Sequence, residues 1–450
     1  MSFLRLPKPV LVLLGLELRE LLGARSLWVM LLLLCPLMGY SFIQSVNLYS
    51  EASRTALQFP ELAKGMTPLD GILTPTFGAL YLVMTLLFPF VAIRLIGNEK
   101  QSGSLKLLLQ LPISPTRIVT IKVLAVATGW LLALIPVLSA LFGWAAMGGH
   151  LYAPELLNLI LGHALYALVI TGIAFFAATV TDSPATAAIV ALAFTIGSWV
   201  LDFAAGTTGW LGSFSSLSLT ASLQIFERGL FALPQTGYLL LMATGLFALT
   251  VIWLPTGIRL LPKLQRSTAL IALVMGLIWL TAHLPYTADV TENRRNSFNP
   301  AEERALRRFE QPLHITIYLA PDDSRLKDME RDILSKLRRS VPKLTITRAD
   351  INKAGLLGAS SDDNYGLIVY EYAGKKQQSR SNSAEEILPI LYQLAGQTVK
   401  PDPVPESKGY PLVADASRTQ IWFYGLLPAL FMGGWWFSQR PMKRIKRLKT

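Results

Sequence analysis

The chain has 450 residues, 52% hydrophobic and only 16% charged, with a mean hydropathy of +0.44, a balance that excludes a soluble globule and points to the membrane class. Its +12 formal charge does not indicate a nucleic-acid partner, because the one large polar segment, 286–417, carries 19 basic and 19 acidic residues and the whole excess lies along the apolar remainder. A single cysteine, Cys35, excludes a disulfide framework and a metal site built on sulfur.

Residues 1–25 contain Glu17, Arg19, Glu20 and Arg25 with no small-residue cleavage pattern, so a secretory signal is not expected. Val10, Leu13, Leu14, Leu18 and Leu21 are spaced for one apolar face, predicting an amphipathic helix lying on the membrane. Eight apolar stretches follow at 26–46, 74–97, 118–147, 155–180, 185–204, 236–258, 268–285 and 418–438. Each has roughly the 20 residues that cross about 30 Å of hydrocarbon. Lys and Arg accumulate on the cytoplasmic side of short loops. With the N-terminus inside, the inner segments hold Arg5, Lys8, Arg19, Arg25; Arg94, Lys100, Lys106, Arg117, Lys122; Arg259, Lys263, Arg266; and the basic tail 439–450, whereas the short outer loops keep only Arg54, Lys64 and Arg228. Both termini are then cytoplasmic, and 286–417 is periplasmic or extracellular.

That outer segment reads as a small α/β domain. LHITIYLA (313–320) alternates as a strand, and 322–341 follows as a helix with Leu326, Met329, Ile333, Leu334 and Leu337 on one face. KLTITRADI is a second strand, YGLIVYEYAGKKQQSRS a hairpin turning at Gly374, and SAEEILPILYQLAGQ a closing helix with Ser383 and Glu386 in capping-box spacing. The order β-α-β, then β-β-α, resembles a thioredoxin-like layout without Cys-x-x-Cys. RRNSFNPAEE and KPDPVPESKGYP read as tethers to the seventh and eighth spans.

The loop NEKQSGSLKLLLQLPISPTRIVTIK, residues 98–122, holds more structure than a connector needs. Leu105, Leu108 and Leu109, at i, i+3 and i+4, predict a short amphipathic helix along the membrane surface. Pro112 stops it; Ser114 and Pro115 then serve as N-cap and first-turn residue of a helix over 115–147, roughly 50 Å long. A rigid elbow of this kind is a surface that another protein can push.

Read from Arg94, RLIGNEKQSGSLKLLLQLPISPTRIVTIK resembles the loop after the second span in permeases of the ABC type-2 exporter family. There an acidic residue, a Gly-Ser/Thr pair, a leucine run, a Pro and a basic residue occur in this order. The matching positions are Glu99, Gly103, Ser104, Leu105, Leu108, Leu109, Pro112, Arg117 and Lys122. Lys106 stands where an acidic residue is common. Six spans preceded by a surface helix, with LQIFERGLFALPQTGYLLL before the sixth, extend the resemblance over 1–260. Segment 286–417 is similar to the periplasmic auxiliary domain of gliding-motility-type ABC transporters, usually a separate polypeptide.

The resemblance implies a mainly α polytopic protein. Over 1–260 it would comprise a surface helix (1–25) and a six-span permease domain (26–260); the hydropathy and charge pattern adds a seventh span (268–285), the α/β domain (286–417), an eighth span (418–438) and a cytoplasmic tail (439–450). It implies the permease subunit of an ATP-driven exporter in a bacterial inner membrane, with no catalytic residue, bound cofactor or metal of its own. Glu99, Gly103, Ser104, Leu105, Leu108, Leu109, Pro112 and Arg117 would couple it to a separate ABC ATPase that uses ATP and Mg. The remaining partners would be a second permease copy, making a homodimer, membrane lipid and periplasmic partners of the outer domain, with no nucleic acid. No Walker A pattern, G-x-x-x-x-G-K-[ST], occurs in the chain. A second reading is a membrane anchor or scaffold whose outer domain recruits envelope partners without transport. An intramembrane enzyme lacks support, since neither HExxH nor GxSxG is present.

His163, about 12 Å of helix rise into the fourth span, is a candidate for the translocation path. The alternative is a structural hydrogen bond between helices, because no second ionisable group obviously faces it in the sequence. Glu155, Asp182 and Asp202 fall at span ends as caps or interface residues, and Arg94 snorkels. Trp28, Trp130, Trp199, Trp210, Trp422 and Trp435 mark interfaces. FERGLF, 226–231, reads as a re-entrant or interfacial piece with Glu227 and Arg228 near headgroups.

Overall fold

The computed structural model describes residues 8–59, 66–203, 217–284, 286–320, 323–349, 365–400, 402 and 411–447. The chain divides into a unit of Met1–Val200, Leu217–Val290 and Lys408–Thr450, and a unit of Leu201–Ser216 and Thr291–Ser407.

The first unit begins with α1 (Lys8–Gly23), broken at Ala24 from α2 (Arg25–Gln58). The predicted surface helix is a packed one: Leu13, Glu17 and Leu21 are buried, whereas Leu11, Val12 and Leu16 are more than half exposed. Glu17 therefore lies on the buried face, between two leucines a turn away on either side. α2 continues past the predicted end at 46 because its polar extension has internal work. Ser50 Oγ donates to Ala414 O at 2.9 Å, and Leu412 N donates to Ser53 Oγ at 3.2 Å.

A π turn (Leu69–Leu73) opens α3 (Thr74–Leu86), which runs into α4 (Phe88–Ser102). After the short α5 (Ser104–Leu108) come α6 (Pro115–Ala146), α7 (Ala153–Val180), α8 (Pro184–Phe203) and α9 (Leu219–Glu227). β1 (Leu230–Ala232), α10 (Leu233–Trp253), α11 (Leu260–Ala282) and β2 (Thr287–Asp289) complete this stretch. β1 and β2 pair antiparallel, Leu230 opposite Asp289, a ladder of three-residue strands too short to leave a sequence pattern. Among the described residues, seven helices, Leu69–Ser102 counted as one, are long and apolar enough to cross a membrane, and they define a multi-pass membrane protein.

The predicted eighth span is helical but is not one of these seven. One turn (Thr419–Ile421) and a π turn (Trp422–Leu426) precede its final helix. The π turn and the helix both pack along α2, Phe423 of the turn 5.9 Å from Phe42, centroid to centroid, and Phe431 of the helix edge-on to Trp28. Gly39 is required there, since a Cβ would lie 2.5 Å from Phe423 Cβ.

The second unit opens with α12 (Pro300–Leu306), in a stretch the composition assigns to a tether. Asn299 and Glu302 form a reciprocal capping box, and Leu306 and Phe309 are buried in this unit's own core. Pro300 at the first helical position, read as a linker signal, is a helix-start signal. β3 (Leu313–Ile317), α13 (Ser324–Met329), a π turn (Glu330–Leu334), α14 (Ser335–Ser340), β4 (Leu344–Arg348), β5 (Ile368–Tyr372), β6 (Lys375–Ser379) and α15 (Ala384–Ala395) follow. The sheet order is β4-β3-β5-β6, with β3 and β4 parallel and the other pairs antiparallel. Ala373 and Gly374 both have positive φ, 50° and 78°, the two-residue turn whose twist matches a hairpin. Leu326, Met329, Ile333, Leu334 and Leu337 are all buried, as one helical face requires. The chain then returns to the first unit as α16 (Leu427–Arg447).

Candidate functional site

The elbow between α4 and α6 is built by its turn residues. Gly103, at φ 77°, ends α4 in the left-handed conformation that costs an L-side chain but not glycine. The Ser102 and Ser104 hydroxyls both donate to Glu99 O, at 3.3 and 3.4 Å, and lie 2.9 Å from each other, so polar atoms otherwise orphaned at the helix end hold α5 close. Ser114 caps α6, its Oγ accepting from Arg117 N at 3.4 Å with Pro115 in the first turn.

The three leucines predicted to share a face do share one, and it points inward. Leu105 is 4% exposed, and Leu108 and Leu109 pack against the first unit's core. The outward surface of the elbow carries other residues: Leu107 at 67% exposure and Leu111 at 48%, with Lys106, Pro112 and Arg117 also exposed.

Beneath the elbow lies a buried charge cluster that sequence reading missed. Lys122 is 0% exposed; its Nζ is 2.6 Å from Glu17 Oε1 and 2.8 Å from Glu99 Oε1, and it donates to Leu95 O at 2.8 Å. Nζ thus makes hydrogen bonds to Glu17 and Leu95 and an ion pair with Glu99, and three elements, α1, α4 and α6, converge on one cation. The carboxylate oxygens of Glu17, Glu20 and Glu99 lie within 4.8 Å of one another, a grouping that could hold a metal ion, but the cation seated against Glu17 and Glu99 is the chain's own Lys122. Burial pushes the Glu17 carboxyl up to about 7 against the opposing pull of Lys122, with Glu99 and Glu20 adding to the rise; burial likewise raises Glu20. Counting Lys122 as a loop charge hid it. The signal was that its neighbours at i±3 and i±4, Ile118, Val119, Ala125 and Val126, are all apolar, and all four are buried.

Lys100 fixes the other side of the elbow. Its Nζ donates to Thr179 O at 2.8 Å and Thr181 O at 2.6 Å, and Asp182 is 3.7 Å away, so it caps the C-terminus of α7, where a cation is favoured.

His163 occupies a second buried polar site. It is 1% exposed, with Nδ1 3.0 Å from Leu159 O, and its ring lies tilted against Phe77, centroids 4.9 Å apart. The sequence showed no ionisable partner, but the structure supplies one: Glu227 Oε1 is 3.6 Å from His163 Nε2. Glu227 was expected at headgroups. Instead α9 folds back onto α7 because Leu219, Leu223 and Phe226 are buried, and Gly162 admits Phe226 where a Cβ would lie 2.5 Å from Phe226 Cβ. Asn158 Nδ2 and Thr74 Oγ1 donate to Phe226 O and Glu227 O, at 3.0 and 3.2 Å, closing the end of α9. Burial pushes the Glu227 carboxyl up to about 7, opposed by Arg228.

Residues 11–208 match the family model described as ABC-2 family transporter protein. The match covers α1 through α8, the elbow and the Lys122 cluster, though less than half of the chain. It supports a membrane permease component of an ABC transporter, a class generally non-catalytic and generally partnered by an ABC ATPase. No curated protein and no solved structure matches the chain.

Proposed function

We propose that the chain is the permease subunit of an ATP-driven ABC exporter, driven through the elbow at 98–117 by a separate ATPase that binds ATP and Mg. The observation that carries this reading is the construction of the elbow: a short helix and the turn after it, presenting Leu107 and Leu111 outward, on a base fastened by Lys122. Glu99, Gly103, Ser104, Leu105, Leu108, Leu109, Pro112 and Arg117 all belong to this device, with divided labour. Gly103, Ser104 and Pro112 shape it, Glu99, Leu105, Leu108 and Leu109 seat it, and Arg117 joins Lys106, Leu107 and Leu111 on the docking surface.

In the assembly we propose, two copies of the chain combine with two ATPase subunits, both termini are cytoplasmic, the final helix is an eighth span, and the α/β unit lies on the far side of the membrane. Mass measurement in detergent should find two copies of this chain per complex. The decisive experiment is co-purification of the ATPase with Leu107→Asp and Leu111→Asp. Losing one apolar anchor costs about 1–3 kcal/mol, or roughly 5- to 100-fold in capture. Capture at the wild-type level in both variants would leave the elbow a linker and favour the anchor reading.

A further inference from the structure

We propose that Glu227 and His163 form a buried proton-binding site that fastens α9 to α7, so that α9 is held while the pair carries one proton and loosens when that proton leaves. The inference stands apart from the ATPase reading.

Its basis is geometric. With Nδ1 of His163 engaged by Leu159 O at 3.0 Å, the only free ring nitrogen, Nε2, faces Glu227 Oε1 at 3.6 Å. Nδ1–H donates to the carbonyl, so Nε2 carries the lone pair; at 3.6 Å it is not hydrogen-bonded to Glu227 and has no other hydrogen-bond partner among the described residues, which leaves the Glu227 carboxyl as the acid placed to bring a proton toward it. His163 is walled in at 1% exposure, whereas the Glu227 side chain retains 16%, so Glu227 is the member that exchanges with water and His163 the blind end. With one proton the pair is neutral overall, and the desolvated setting tolerates it. Without that proton, a carboxylate remains at a site largely withdrawn from water, 16% exposed, and burial disfavours it.

Of the other titratable groups on the packed elements, Arg228 acts on Glu227 itself and opposes the effect of burial, and Tyr166 also lies within reach of its charge. On α7, the Tyr166 hydroxyl is 2.8 Å from Thr85 Oγ1, and Glu155 lies two turns away from His163 in the first turn. Tyr81 of α3 pairs with Thr220 at 2.9 Å, at the other end of α9, and accepts from Trp199. Tyr238 of α10 donates to Leu217 O at 2.7 Å. Arg228 follows Glu227 directly, and Asp289 of β2 sits opposite Leu230.

The fastening is specific to α9. Its end is closed by Asn158 and Thr74, its Phe226 fits Gly162, and its start is tied by Ser198 Oγ accepting from Leu219 N at 2.8 Å. Of these contacts, only the Glu227–His163 one changes charge with pH.

Hydrogen exchange read by mass spectrometry on the full chain in lipid nanodiscs tests this locally, on peptides spanning 219–232. After correction for intrinsic chemistry, wild-type opening should rise about tenfold between pH 6 and pH 8, as linkage requires for a carboxyl held near 7 when closed and at its ordinary value when open. Glu227→Gln should abolish that rise. His163→Gln, which removes the acceptor, should expose the segment already at pH 6. A pH-independent wild type, a Glu227→Gln variant with the full tenfold rise, or a His163→Gln variant matching the wild type at pH 6 would each overturn the proposal.

Discussion

Replacing Lys122 by Met removes the one cation between Glu17 and Glu99 while keeping most of the side-chain volume. The wild-type cluster has contacts of 2.6, 2.8 and 2.8 Å from a group with no solvent exposure, so none of the loss is recovered by water. Breaking a buried pair by deleting one partner costs about 3–5 kcal/mol, whereas converting the whole set to neutral groups of similar shape is near neutral. Part of the Lys122→Met cost is relieved when Glu17, whose carboxyl burial already holds near 7, takes a proton. The loss should therefore sit toward the lower end of that range and shrink on acidification. The assay is thermal unfolding of the purified chain in detergent, followed by tryptophan fluorescence, at pH 8 and pH 5.5. Lys122→Met should be the least stable variant, most clearly at pH 8, and the triple variant with Glu17→Gln and Glu99→Gln should recover most of the loss. If the triple variant is no more stable than Lys122→Met, the cluster is not what holds these helices together.

Two further expectations follow from particular contacts. Gly162→Ala places a methyl group against Phe226 and should cost about 1–3 kcal/mol as overpacking, read as earlier protease cleavage within 219–232 while cleavage in the α/β unit stays unchanged. Cysteines placed at Ser102 and Arg380, both exposed, in a chain with Cys35→Ser, should be labelled from opposite sides of the membrane by an impermeant reagent; labelling from the same side would reverse the charge-based topology.

The long helices were legible because hydropathy over roughly 20 residues is a local property. That Leu105, Leu108 and Leu109 share a face was legible because they repeat with the period of a helix; that this face turns inward onto the core was not. What could not be read is pairing across the fold. Glu17 and Lys122 are 105 residues apart, and His163 and Glu227 belong to different helices, so no window of sequence joins them. Charge counting compounded this by treating Lys122 as a loop charge, which holds for most charges in polar loops and fails for one embedded among apolar neighbours at helical spacing. α12 was missed for a different reason: Pro and polar residues start helices as readily as they fill linkers, and Leu306 and Phe309 alone are too few to show a period.

The elbow itself poses the last question, how a push on five residues moves a bundle. A loop attached only through its two ends would bend, and the displacement would be absorbed there. This loop is attached sideways as well, to α1 through Lys122 and Glu17 and to α7 through Lys100, so α1, α4, α6 and α7 share one fastened base and should move together. Lys100→Met tests that argument separately from docking, because its ammonium faces the last carbonyls of α7 rather than the outward surface. Losing two charge-assisted hydrogen bonds costs about 1–3 kcal/mol locally, too little to unfold a bundle of long helices. The ATPase should therefore be captured normally by Lys100→Met, while hydrolysis loses much of its stimulation by transport. Normal capture with normal coupling would show that α7 is reached by some other route; lost capture would mean that Lys100 shapes the docking surface itself.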